Sequence, residues 1–409
     1  MGLADGFADS FAITDCNRAG RARIRTRTAK LREVAMRCVP YVLYVLFLSL
    51  SLAAPAGAAV PAEFIDHYAA EHHFSGTVVV QQAGRIGYEK SFGMASLAFK
   101  VRNTPQTRYR IASITKAFTA VLVLQLAEQQ RLDLQAPIRH YLPDFAGSGG
   151  DAITLQQLLN HTSGLPNFDQ VKDLQTALSE GVPAYQKPGT PAQLVARHCS
   201  GAPVTPPGST FDYNNCDYIV LGLILEKVSG KTYEALLQER LLQPLHLTQT
   251  GLLRQGRIVE NLADTYMQRE DLHGLADDLP VYAENWYAAG SMYSTAADLL
   301  AFSDALFGGK LLKPESLAAM TRPGLDDYGY GVWSYAMTIA GKPHPVVKRP
   351  GRIMGAQTQL FRLVDDDTTV VILANTDAVD LDEFAAAIAR CLFGSEAGAP
   401  GKTAQAGSH

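Results

Sequence analysis

The chain contains no Cys-x-x-Cys and no His-Glu-x-x-His, so the commonest redox and zinc-site spacings are absent. His67, His72 and His73 cluster on a stretch read as a surface helix, where solvated imidazoles are the expected use; no metal and no cofactor are expected. Cysteine is scarce, with 5 in 409 residues. Only Cys199, Cys216 and Cys391 fall beyond residue 58, an odd set that cannot form a full disulfide framework and leaves a Cys199–Cys216 bridge open. Excess basic charge is also missing, the formal net charge being −4, so nucleic acid is not an expected partner. With 47% hydrophobic and 19% charged residues the composition suits a globular protein with a substantial core.

The N-terminus departs from this balance. Arg18, Arg21, Arg23, Arg25, Arg27, Lys30, Arg32 and Arg37 precede the apolar stretch Val39 to Ala54, which ends in Ala56-Gly57-Ala58. A basic segment, a short apolar run and small residues form a secretory leader. The run falls short of the roughly 20 residues of a spanning helix, which favours cleavage and export to a periplasmic or extracellular space. An uncleaved N-terminal anchor is the alternative, and the only route to a membrane that the sequence offers. Met36-Arg37 would make a compact start for this leader, so the first 35 residues are read as a start-site artefact, which N-terminal sequencing would test. Without residues 1–58 the chain keeps 28 basic and 36 acidic residues, a formal charge of −8.

Strand patterns occupy both ends of the remainder. Ser75 to Gln82 and Ile86 to Phe92 flank the turn Ala83-Gly84-Arg85, and Thr358 to Leu363 and Thr368 to Ala374 flank Val364 to Asp367. A helix follows from about Leu381 to Leu392. Between lie helical patterns at Leu155 to Leu159, Ala192 to His198, Tyr218 to Val228, Tyr233 to Leu241 and Ala296 to Leu306, separated by loops rich in Pro and Gly. The expected architecture is α+β, an antiparallel sheet assembled from both termini and flanked by helices, with a helical subdomain inserted at about 146–285. The expected organisation is a leader at 1–58, a single domain at 59–395 and a small, polar, disordered tail at 396–409.

One motif carries chemistry. Ser113-Ile114-Thr115-Lys116 opens a run to Gln130 that lacks Pro and Gly; as a helix, it sets Lys116 beside Ser113 on one face, an amine within reach of a hydroxyl proton. Ser-x-x-Lys alone also describes a capped helix with a solvated lysine. Three further segments keep it company. Tyr213-Asn214-Asn215, preceded by Pro207-Gly208-Ser209-Thr210-Phe211, resembles the second motif, Tyr-x-Asn, of serine β-lactamase-like and penicillin-binding-protein-like hydrolases. Leu158 to Leu165, with Asn160-His161-Thr162-Ser163-Gly164, resembles the loop opening the helical subdomain of that family, and Ala289 to Leu299 its Gly-to-Ser-Thr-x-x-Asp stretch. The resemblance spans about Phe64 to Leu392 and points to the branch of class C β-lactamases, D-Ala-D-Ala carboxypeptidases and family VIII carboxylesterases.

The resemblance implies a β-lactamase/transpeptidase-like fold and an exported serine hydrolase acting on an amide or ester. Ser113 would attack the acyl carbonyl, Lys116 and Tyr213 would share the work of base, and Asn215 would hold Lys116 and the substrate's acyl-side amide. The Ser113 backbone amide would form one arm of an oxyanion hole. The third motif departs from the family's Lys-Thr-Gly or His-x-Gly: here it is Arg349-Pro350-Gly351. A guanidinium supplies a permanent charge for a substrate carboxylate but cannot shuttle a proton near neutrality, so Arg349 and Gly351 are expected to bind substrate. Pro350 has no N–H, which leaves the Arg352 amide as the second oxyanion arm.

His161 and Ser163 are read as loop-structuring groups, and Tyr328, Tyr330 and Trp333 as residues packed near the sheet edge that also wall the cleft. A β-lactam, a D-Ala peptide, a D-amino-acid amide and a short ester all fit this constellation. The alternative function is a penicillin- or peptidoglycan-binding protein with little turnover, which the altered third motif keeps open.

Overall fold

A computed structural model describes residues 60–169 and 174–394; the leader, the Met36 start and the tail lie outside the described residues. Six strands form the main sheet: β1 (Gly76–Gln82), β2 (Arg85–Phe92), β3 (Trp333–Ile339), β4 (Lys342–Ile353), β5 (Ala356–Leu363) and β6 (Thr368–Ala374), in the order β3-β4-β5-β6-β1-β2. The pairings along this order are antiparallel, and β1 from the N-terminal part lies against β6 from the C-terminal part with Val79 opposite Val371. Both expected hairpins are therefore present, joined across the middle of one sheet. The first turn is tighter than its sequence suggests. Ala83 and Gly84 have φ of +48° and +72°, a two-residue turn whose twist matches the flanking strands, so Arg85 already belongs to β2.

Alternation along the central strands sorts two cores. Val78, Val80, Val370 and Ile372 pack with Ile65 of α1 (Ala62–Glu71) and with Phe384 and Ile388 of the C-terminal helix (Leu381–Phe393). Val79, Val371 and Leu373 face the other way, toward the larger helical body. Covering both faces explains why β1, β5 and β6 are buried almost throughout, polar residues such as Gln359 and Arg362 included. At the centre of the helical body runs α2 (Thr115–Glu128), buried nearly all round, against α3 (Asn215–Ser229) and α4 (Ala296–Phe307), with Phe118 stacked on Phe302 at 3.8 Å between ring centroids. The C-terminal helix is α5.

Three local features correct or extend the sequence reading. α1 stops at Glu71, so only His67 lies on it; His72 caps it and His73, with φ of +52°, turns away beyond. The Cys199–Cys216 disulfide forms, its Cα atoms 5.3 Å apart, and Cys391 is free. The hairpin β3–β4 was not evident from sequence because Pro343, Pro345 and Pro350 interrupt β4. Each proline falls where no ladder partner is needed. The Pro345 carbonyl accepts from Val364 on the β5 side, just past the end of β5, and the alternate side at Pro350 faces β3 beyond its last pair, Trp333 with Lys348.

Candidate active site

Ser113 sits in a single 3₁₀ turn, Ala112–Ile114, immediately ahead of α2 rather than within it. Ala112 has φ of +46°, a left-handed conformation that a Cβ-bearing residue rarely adopts. The turn is held by the Thr115 hydroxyl donating to the Ala112 carbonyl at 2.7 Å and by the Ile114 amide donating to Ile111 at 3.0 Å. Between the buried Ala112 and Ile114, Ser113 alone is half-exposed.

Lys116 follows one turn later and is fully buried. Its Nζ lies 3.2 Å from Ser113 Oγ, 2.5 Å from Asn215 Oδ1 and 3.0 Å from the Ala289 carbonyl. Those neighbours are acceptors without formal charge. Burial drives the lysine pKa down to about 8; Tyr213 opposes the shift and the Arg349 charge adds to it.

Tyr213 and Asn215 flank Asn214, the N-cap of α3, whose side chain accepts from the Cys216 amide at 2.9 Å and donates to Leu165 at 2.8 Å. The cap fixes the Tyr-Asn-Asn turn, and the disulfide at Cys216 ties it to the segment ending at Cys199. The Tyr213 ring lies 4.7 Å from Lys116 Nζ. Burial alone would raise its phenol, but the charges of Arg349 and Lys116 override that and bring it down to about 8.

Arg349 does not open onto the cleft as a carboxylate anchor would. Its side chain is 1% exposed. Nε donates to the Ser113 carbonyl at 2.6 Å, Nη1 to Tyr328 Oη at 3.3 Å and Nη2 to Tyr213 Oη at 2.5 Å, while Tyr213, Tyr328 and Trp333 surround the guanidinium at 5.2–5.9 Å from their ring centroids. The third-motif cation therefore lies behind Tyr213, bonded to it. Tyr328 and Trp333 wall the guanidinium. Gly351 is buried against the Ser113 turn: a Cβ there would come within 2.5 Å of the Ile111 carbonyl and 3.1 Å of the Ser113 nitrogen. Arg352 is exposed at the same end of β4. Strand alternation turns its amide, like the Pro350 nitrogen, away from β5 toward the side where β3 has ended.

Beneath the site lies a buried polar frame. Ser163 Oγ donates to Asp217 Oδ1 at 2.5 Å, and Asp217 Oδ2 is 2.8 Å from His161 Nδ1. Burial pushes Asp217 above the carboxylate range and His161 below the imidazole range. The His161 ring packs 4.5 Å from that of Tyr213. Sequence reasoning missed a carboxylate. Asp169, half-buried at the rim, accepts a hydrogen bond from Tyr185 Oη, which in turn accepts one from Asn215 Nδ2 at 3.4 Å. Among the described residues no group of three or more His, Cys, Asp or Glu side chains is placed to hold a metal ion, and no helix is long and apolar enough to cross a membrane.

The family model described as Beta-lactamase matches residues 62–392. A teichoic acid D-alanine hydrolase of Staphylococcus aureus is 28% identical over 311 residues, 76% of this chain and 72% of that one. Among solved structures, a penicillin binding protein from Bacillus halodurans superposes with a TM-score of 0.69 at 27% identity, covering 80% of this chain and 98% of that one. A D-stereospecific amidohydrolase from Streptomyces sp. superposes with a TM-score of 0.68 at 27% identity, covering 78% and 95%.

Proposed function

The chain belongs to the β-lactamase family, and from that premise we propose that it is an exported serine hydrolase that cleaves an ester or amide through an acyl-enzyme on Ser113. The observation that carries the reading is the coordination of Lys116. A protonated lysine would donate to all three neighbours; a neutral one keeps its two donors on Asn215 and Ala289 and turns its lone pair to the Ser113 hydroxyl. Full burial without a carboxylate partner favours that neutral form.

Ser113 Oγ bonds to the acyl carbon as its proton passes to Lys116. The tetrahedral oxyanion is held by the Ser113 and Arg352 amides, and Gly351 lets β4 approach closely enough to bring those two donors together. Collapse breaks the bond to the leaving group, which takes a proton relayed through Tyr213. Water then attacks the acyl-enzyme and gives its proton back to the Tyr213–Lys116 pair, releasing the acid and restoring Ser113. Arg349 acts on Tyr213 rather than on substrate: a permanently charged group bonded to the phenol favours its deprotonated form. Export rests on the basic, then apolar, N-terminal segment.

The test is intact-protein mass spectrometry of the mature chain and of Ser113→Ala after exposure to a fluorophosphonate, a penicillin and p-nitrophenyl butyrate, with p-nitrophenol release followed in parallel. A Ser113-dependent adduct with turnover is expected. A stable penicillin adduct without turnover would favour a binding protein, and no adduct with any reagent would remove the mechanism.

A further inference from the structure

The end of β4 carries Gly351 and the Arg352 amide, yet it is the least supported stretch of the main sheet. β3 pairs no farther than Lys348, so from Arg349 to Ile353 only β5 lies alongside, and the chain then turns back through Met354 and Gly355. A two-stranded tip is marginal by itself and needs a hold from outside the sheet. Asp278 supplies one. Its side chain is 8% exposed, Oδ1 accepts from the Gly355 amide at 2.9 Å, and Oδ2 accepts from the Thr265 hydroxyl at 2.5 Å. The Arg110 guanidinium stands 4.0 Å from Oδ2. Gly355 is itself pressed on Tyr266, where a Cβ would lie 2.2 Å from the carbonyl oxygen and 2.6 Å from the nitrogen.

The segment bearing Asp278 is anchored on the Ser113 side. Thr265 and Asp278 flank a small hairpin, Tyr266–Arg269 with Gly274–Asp277. Just ahead of it, the Asn261 carbonyl accepts from the Arg108 amide at 2.8 Å and the Ala263 amide donates to the Arg108 carbonyl at 2.9 Å, while the Tyr266 amide donates to Asn375 at 3.0 Å. Arg108 and Arg110 lead through Ile111 into the Ser113 turn. Asp278 therefore links two pieces of backbone, one running into the Ser113 amide and the other running out of the Arg352 amide. Burial raises the pKa of its carboxyl, and Thr265, the Gly355 amide and Arg110 oppose the rise. A carboxyl is costly to bury, so its bonds rather than its packing explain its place here.

We propose that Asp278 is a positioning residue for the oxyanion site: it holds the β4–β5 tip at the spacing from the Ser113 turn at which the Ser113 and Arg352 amides converge on one oxygen. The inference rests on the Ser113 acyl-enzyme reading and adds the group that sets the spacing of its two donors. Asp278 touches no reacting atom. Its loss therefore spares ground-state binding and weakens what depends on a tetrahedral oxygen. Acylation and deacylation both pass through such an oxygen, so both steps slow together and KM stays nearly constant.

The experiment measures kcat and KM for p-nitrophenyl butyrate, and Ki for propylboronic acid, in the mature protein, Asp278→Ala and Asp278→Asn, well below their melting temperatures. The boron bonds to Ser113 Oγ and leaves a hydroxyl where the oxyanion sits, so Ki reports the donors directly. Removing an oxyanion donor outright costs about a hundredfold or more, and loosening one is expected to cost about thirtyfold. Asp278→Ala should therefore lower kcat and raise Ki by about thirtyfold each, with KM moving less than about threefold. Asp278→Asn, which keeps an oxygen for the Gly355 amide, should recover at least about tenfold of both losses. Unchanged kcat and Ki, or a loss confined to KM, overturns the proposal while leaving the Ser113 reading intact. Equal losses in Ala and Asn overturn it as well, since they tie the effect to the charge and not to the bond with Gly355. Should Asp278→Ala fail to fold by circular dichroism, Thr265→Val decides, because it keeps the volume and removes the bond that orients the carboxylate. A joint change in kcat and Ki of at least about threefold then supports the proposal, and wild-type values refute it. Absence of any Ser113-dependent adduct or turnover in the wild type removes both readings.

Discussion

Replacing Arg349 with Gln removes the guanidinium bonded to the Tyr213 hydroxyl while keeping a side chain able to donate to the Ser113 carbonyl. Nη2 lies 2.5 Å from Tyr213 Oη, and the centre of the guanidinium charge sits farther back. At about 4 Å and an effective dielectric constant of about 20 the attraction to a phenolate is roughly 4 kcal/mol, or about 3 in pKa. Water entering the vacated space offsets part of this, so the apparent pKa of the Tyr213–Lys116 pair is expected to rise by between about 1 and about 3. Both members stand at about 8 in the intact site. The working base is the form that has lost a proton, so wild-type kcat/KM rises with pH through about 8, and the variant's rise moves upward. At pH 7 the variant is expected to be at least tenfold slower, the gap closing toward pH 10, and Arg349→Lys, which keeps a cation, to fall between. The assay is kcat/KM for p-nitrophenyl butyrate from pH 6 to 10, corrected with Ser113→Ala for spontaneous hydrolysis. A uniform loss at every pH with an unmoved inflection would refute the electrostatic role and return Arg349 to substrate contact or to packing.

Gly351→Ala is expected to fold and to lose about a hundredfold in kcat/KM, since its methyl must push β4 from the Ile111 carbonyl and the Ser113 amide; near-normal turnover would show that the oxyanion arms are not set by this contact. Cys199→Ser is expected to lower stability by about 3 kcal/mol for a loop of this size, read by urea titration against the oxidised wild type. Because Cys216 adjoins Asn215, the same change should lower turnover at temperatures well below melting, and unchanged activity there would limit the bridge to stability.

The sequence disclosed most where periodicity and chemistry coincide. Ser113 and Lys116 share a turn because helical spacing puts residues three apart on one face, whereas Tyr213-Asn214-Asn215 was legible only through its resemblance to the Tyr-x-Asn motif, its Asn214 cap emerging with the structure. Other features follow from packing that no short window encodes. The charge of Arg349 is evident in the chain, but its direction depends on Tyr213, Tyr328 and Trp333 closing around it. The β3–β4 hairpin was hidden because prolines ordinarily argue against strands, and only the staggered ends of β3 and β5 make them harmless here. Asp169 lies in an aperiodic loop, and its link to the site emerges only through Tyr185 and Asn215, 16 residues and dozens of residues away in the chain.

The seam between β1 and β6 has a consequence for biogenesis. Gly76 is opposite Ala374, so a ribosome delivers one edge of this join almost 300 residues before the other. Ser113, Lys116 and Tyr213 all emerge while the strand bearing Arg349 and Gly351 is still unmade. The nascent helical body therefore carries the proposed nucleophile while its proposed oxyanion arm and the Arg349 cation have yet to arrive, and β1 waits with an unpaired edge until nearly the whole chain has been synthesised. A chain passing through a translocation channel before that moment would still be unable to close its sheet, and hydrolytic competence would begin only once the two ends meet.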